Sequence, residues 1–185
     1  MVLPIVAYGD PVLRKVGVEI SKDYPDLAKL IDDMFETMEK SKGVGLAAPQ
    51  INKPIRLFII DSTRMYDEDQ KNEGIVEVFI NAKMIKETGD DWPYEEGCLS
   101  IPNVREDVYR NETIRIQYLD RSFKKQEKEF KGLTARVIQH EYDHIGGKLF
   151  IDHLKPLKRS LLKGRLEKIS KGIVDVNYKM KFPKK

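Results

Sequence analysis

His140-Glu141-Tyr142-Asp143-His144 sets two imidazoles four residues apart around a carboxylate, the pattern H-E-x-x-H. On a helix, residues i and i+4 project from one face, so His140 and His144 can grip a single metal ion. Glu141 then stands beside the first ligand, where a carboxylate can take a proton from water activated by that ion. The flanks suit a helix: Gly132 to Ile138 reads as its entry, with Leu133, Val137 and His140 on one side, and Gly146-Gly147 supplies a stop. A histidine in a helix more often packs or faces solvent, but this chain has only three, and two fall at this spacing. A third ligand must come from elsewhere.

The single cysteine, Cys98, lies in Glu95-Glu96-Gly97-Cys98-Leu99-Ser100-Ile101-Pro102, which reads as a non-helical loop between strands. A lone cysteine is most often a small buried hydrophobe. As a thiolate it is also a sound first-row metal ligand, and with His140 and His144 it would give one sulfur and two nitrogens. Three protein ligands leave a position open, the mark of a catalytic rather than a closed structural centre. Two other classes compete. A zincin-type metallopeptidase shares H-E-x-x-H but takes its third ligand downstream, and the only later histidine, His153, lies outside the extended motif. A nucleic-acid-binding protein with a structural metal would need a fourth ligand, and there is no second cysteine.

The elements that must position these groups follow from periodicity. Leu27, Leu30, Ile31, Met34, Phe35 and Met38 recur at helical spacing and predict an amphipathic helix from Pro25 to about Lys42, ending at Gly43. Gly43-Val44-Gly45-Leu46-Ala47-Ala48-Pro49-Gln50 is built of small residues that let backbone approach another chain or a ligand closely. It lacks the Lys-Ser/Thr of a phosphate loop. Ile55–Ile60 reads as a buried strand, Ile75–Ile80 and Ala82–Glu87 as two more, and Glu112–Leu119 as a half-buried one. Ser62–Gly74 is polar and predicts a surface loop; Arg121 to Glu129 predicts a turn and an exposed strand. Pro156 to Gly172 frames a last helix, with Leu157, Leu161, Leu162, Leu166 and Ile169 as its apolar face.

At 185 residues with 41% hydrophobic and 34% charged residues, the composition is that of one globular catalytic domain spanning 1–185. No run reaches the length of a membrane span, and Met1–Val6 lacks a basic region and is broken by Pro4, a poor export signal. A cytoplasmic location is expected. The net charge of +3 hides an asymmetry: Lys155–Lys185 carries eleven Lys/Arg against two acids, so the basic helix and tail from about 156 sit on an acidic body.

Taken together, Gly43–Gln50, Glu96-Gly97-Cys98-Leu99-Ser100 and Gln139–His144 resemble the three signature motifs of the peptide deformylases, in that family's order and spacing. The likeness runs from Gly9-Asp10-Pro11-Val12-Leu13-Arg14 to the final helix. It implies an α+β fold, with antiparallel strands wrapped around a central metal-binding helix and a helix at the C-terminus. It implies hydrolysis of the formyl group from the N-terminal formyl-methionine of new polypeptides, with Fe2+ as the metal and Zn2+, Ni2+ or Co2+ able to replace it. Glu141 is then the general base, and Gln50 and the Leu99 N–H stabilise the oxyanion. Val44, Gly45, Tyr94, Glu96, Arg105, Leu133 and Val137 are expected to meet the peptide. A monomer is the expectation. The basic C-terminal segment is a candidate contact for the ribosome, as in some bacterial members.

Overall fold

The computed structural model describes residues 1–183. Helix α1 (Leu27–Lys40) precedes strands β2 (Gly45–Ala47), β3 (Leu57–Asp61), β4 (Val76–Cys98), β5 (Ile101–Leu119) and β6 (Lys125–Lys131). Helix α2 (Gly132–Ile145) and helix α3 (Pro156–Ser170) follow. β2 to β6 form one sheet in chain order, each neighbouring pair antiparallel. A second sheet joins β1 (Ile5–Val6) to β7 (Met180–Lys181) in parallel.

Buried apolar residues on both faces of β3 fix the layering. Leu57 and Ile59 join the core beneath α1, with Ile31, Met34 and Met38. Phe58 and Ile60 join the core beneath α2, with Phe79, Ile116, Ala135 and Ile138. Alternate residues of a strand face opposite sides, so this short apolar run ties both helices to one sheet. A third core gathers Leu13, Val104, Phe150, Leu162, Leu166 and Ile169 under α3.

Several predicted elements take other bounds. The first helix begins at Leu27 rather than Pro25, because Asp26 has a φ of 53°, in the left-handed region. Ser62–Gly74 contains two short 3-10 turns, Ser62–Met65 and Lys71–Glu73. The strands expected at 75–80 and 82–87 are one strand, β4, which runs on to Cys98 with register shifts after Ile80, Met84, Thr88 and Gly97. At the first shift, Asn81 takes a φ of 52° while its amide pairs with both backbone groups of Ile20. On α3, Leu162, Leu166 and Ile169 are buried, but Leu157 and Leu161 are about three-quarters exposed. The expected apolar face is therefore split. Lys184 and Lys185 of the basic tail lie outside the described residues. No helix among the described residues is long and apolar enough to cross a membrane.

Candidate active site

Helix α2 and the β4–β5 hairpin bring the three sulfur and nitrogen ligands together. β4 ends at Cys98 and β5 begins at Ile101, so Leu99-Ser100 forms a two-residue turn. Buried Ala135, Ile138 and Ile145 hold one side of α2 against the sheet. Its other side turns His140 and His144 toward Cys98. The three ligand atoms lie within 4.8 Å of one another, and Cys98 Sγ is 3.4 Å from His144 Nε2. Metal–ligand bonds of about 2.0–2.3 Å at tetrahedral angles place ligand atoms roughly 3.3–3.8 Å apart, so the cluster suits a small divalent cation. Burial pushes the Cys98 thiol up, but His144 and His140 outweigh it and bring it down to about 5, favouring the thiolate a metal requires. The donor set fits a catalytic metal.

Behind His140 stands a charge network that the sequence did not reveal. Glu96 lies 2.9 Å from His140 Nδ1, which orients the ring with Nε2 toward the cluster. The same carboxylate accepts a forked pair from Arg110 at 2.7 and 3.0 Å, and a bond from Arg136 Nη1 at 3.1 Å. Arg110 also donates to Asp143, which accepts from His153 Nε2, both at 2.7 Å. Arg136 further bonds the carbonyls of Val108 and Trp92 and stacks on the Trp92 ring. Burial alone would push the Glu96 carboxyl up, but His140 and Arg110 hold it far below the usual carboxylate range. Glu96, expected to face the peptide, has a buried side chain committed to these partners. His153, the metallopeptidase candidate, is bound to Asp143 and is no part of the ligand cluster.

Glu141 is 4% exposed, and its Oε2 has no hydrogen-bond partner in the protein. Burial pushes its carboxyl up to about 7, against the pull of His140 and His144. It packs directly against the backbone of β2: a Cβ on Gly45 would stand 2.4 Å from Glu141 Oε1. Gln50 sits opposite. Its Oε1 accepts from the Ala47 N–H at 2.9 Å, which turns Nε2 toward Ser100 Oγ at 3.2 Å and Cys98 Sγ at 3.4 Å.

These groups face a cleft of about 1060 Å³, lined also by Val44, Tyr94, Leu99, Arg105 and Val137. Arg105 is exposed on its rim, 3.4 Å from Glu95. Leu133 does not join them. It lines a separate recess with Tyr66 and Trp92, because it falls a turn before Val137 at the start of the helix. Arg110 and Arg136 escaped sequence reading because nothing in their local pattern separates them from solvated strand and helix charges. An arginine one turn before His140, set between Ala135 and Val137-Ile138, was the available signal.

The polypeptide deformylase family model matches residues 2–160. The chain belongs to that family. It is 57% identical over 183 residues to the peptide deformylase of Cytophaga hutchinsonii, covering 99% of this chain and 98% of the relative. Among solved structures it is similar to a peptide deformylase from Legionella pneumophila, at 37% identity and a TM-score of 0.79, covering 94% of this chain and 98% of that one. It is also similar to a Met-Ala-Ser-bound class I type b peptide deformylase from Acinetobacter baumannii, at 31% identity and a TM-score of 0.75, covering 83% of this chain and 99% of that one. The α+β architecture and the Cys-His-His metal site, with both histidines on α2, agree with the family. The protein is a metal-dependent hydrolase that removes N-formyl groups from nascent peptides.

If Glu96 orients His140, Glu96→Gln should weaken metal binding about 10–100-fold, the usual effect of removing a ligand's hydrogen-bond partner. Competition with a chelator, on protein shown to be folded by circular dichroism, measures this. Unchanged affinity would reduce Glu96 to a purely structural charge.

Proposed function

We propose that this chain deformylates formyl-methionyl peptides with Glu141 as its general base and Fe2+ as its cellular metal. The observation that carries the base assignment is the buried, partnerless Glu141 Oε2, in a residue that lines the same cleft as Cys98, His140 and Gln50. A cation held by Cys98, His140 and His144 would supply Lewis acidity toward water and toward the formyl oxygen. Glu141 takes the water proton and later gives it to the departing amine, so the formyl C–N bond breaks into formate and a free N-terminus. Gln50 Nε2 and the Leu99 N–H donate to the oxygen on which negative charge develops, and one such donor is worth about 3 kcal/mol.

The peptide would lie as an added strand in the cleft. β2 ends the sheet, and Tyr94–Gly97 pairs with β5 alone, so both present free backbone edges beside the metal ligands. Val44, Tyr94, Val137 and the ring of His140 supply apolar walls for methionine, and Arg105 stands at the rim to meet the peptide. The Met-Ala-Ser bound by the Acinetobacter relative supports this class of ligand. Ni2+, Co2+ or Zn2+ could occupy the same ligands. Nascent chains as substrates place the reaction in the cytoplasm, and nothing in the chemistry calls for more than a monomer.

α3 is the proposed ribosome contact. Lys163, Arg165 and Lys168 are exposed on it, and so are Leu157 and Leu161, so this helix offers both cations and apolar side chains to a partner. Attraction to RNA phosphates would be strongly salt-dependent.

Three outcomes are expected. Glu141→Gln should keep its metal while turnover falls about 10²–10⁴-fold, the range for a lost general base; substantial residual kcat at full metal content would remove Glu141 from the role. Protein purified without oxygen should contain iron by elemental analysis and release formate from formyl-Met-Ala without cleaving unformylated Met-Ala; zinc-only protein of full activity argues against Fe2+. Reversing the charges at Lys158, Arg159, Lys163 and Lys168 should weaken sedimentation with ribosomes at low salt and spare formyl-Met-Ala turnover. Unaltered co-sedimentation would leave α3 as a packing helix.

A further inference from the structure

The family match ends at residue 160, yet Asp175–Tyr178 returns to the cleft that holds the metal ligands. α3 stops at Ser170, and Gly172, with a φ of 76°, turns the chain back along the molecule. Ile5 and Ala7 donate to the carbonyls of Lys179 and Lys181 at 2.8 Å, fixing β7 against β1. Asn103 Nδ2 donates to the Asp175 carbonyl at 3.2 Å. Between these anchors Asp175–Tyr178 lines the substrate cleft. The Tyr178 hydroxyl donates to the carbonyl oxygen of Leu99 at 2.8 Å, and its ring packs with Leu99 against the core beneath α1.

The turn that follows Cys98 is therefore held from three directions. Tyr178 grips the Leu99 carbonyl, the Tyr8 N–H grips the Ser100 carbonyl at 2.8 Å, and Gln50 grips Ser100 Oγ. Two-residue turns have soft torsions, and an N–H that must point at a developing charge gains from having those torsions fixed beforehand. We propose that Tyr178 is a positioning residue for deformylation: its hydroxyl aims the Leu99 N–H, and the segment Asp175–Tyr178 closes the outer wall of the cleft. The inference rests on the assignment of the Leu99 N–H to the oxyanion. It makes part of the basic tail that follows α3 a segment of the catalytic centre.

Tyr178→Phe keeps the ring and removes the hydroxyl alone. With metal-loaded enzyme and formyl-Met-Ala, kcat should fall about fivefold, on the scale of one net hydrogen bond, with KM within about twofold of the parent. Binding of the product-like peptide Met-Ala-Ser should hold, and hydrogen exchange at the Leu99 and Ser100 amides should quicken. A tyrosine that only packs would leave kcat and exchange unchanged, and that result overturns the proposal. Gln50→Ala, measured in parallel, separates the two readings. A fall in kcat there with none in Tyr178→Phe overturns the role of Tyr178 alone. No kcat effect in Gln50→Ala removes the oxyanion assignment, and the role of Tyr178 at that oxyanion falls with it.

Discussion

The site depends on one buried carboxylate. Glu96 sits where β4, β5 and α2 meet, accepting from two arginines while facing a metal-binding imidazole. Ionised carboxylate offers about four acceptor positions, and here four nitrogens occupy them. Its negative charge offsets two guanidiniums that would be costly to bury unpaired; breaking one such pair typically costs about 3–5 kcal/mol. The hairpin bearing Cys98 is thus bound to the helix bearing both histidines by the same group that orients His140. Folding and ligand geometry are one problem in this molecule.

The network continues outward in a definite order. His153 and Arg110 both donate to Asp143, and Arg110 reaches Glu96 in turn. The carboxyl of Asp143 is held near 2, where burial is opposed by His153 and Arg110, so it carries charge throughout the neutral range. The third histidine reaches the ligand His140 only through Asp143, Arg110 and Glu96, and is no part of the ligand cluster.

What could be read from the sequence divides along a physical line. α1, β3 and α2 bury one face or both, and their periodicity showed directly. β4 was read as two strands ending at Glu87, and β5 only from Glu112, because the solvated stretch through Gly89, Asp90 and Asp91 carries no alternation to mark a strand. Cys98, His140 and His144, which form the ligand cluster, were legible in two short motifs, since each needs a residue type that packing alone rarely demands. The roles of Glu96, Arg110, Arg136 and Tyr178 were not. They depend on contacts between residues 14 to 79 positions apart, which no local pattern encodes.

Gly45 has a consequence beyond its geometry. The backbone of β2 reaches Glu141 only because nothing projects from that α-carbon, and any side chain would drive the carboxylate away. The N–H and C=O along this edge therefore stay bare of side chain beside Glu141 as long as position 45 is glycine. An inhibitor that drew its affinity from this main chain, rather than from the replaceable walls at Val44 or Val137, would bind where resistance has little room to arise. A mutation that spoiled its grip at Gly45 would also displace Glu141, the proposed general base.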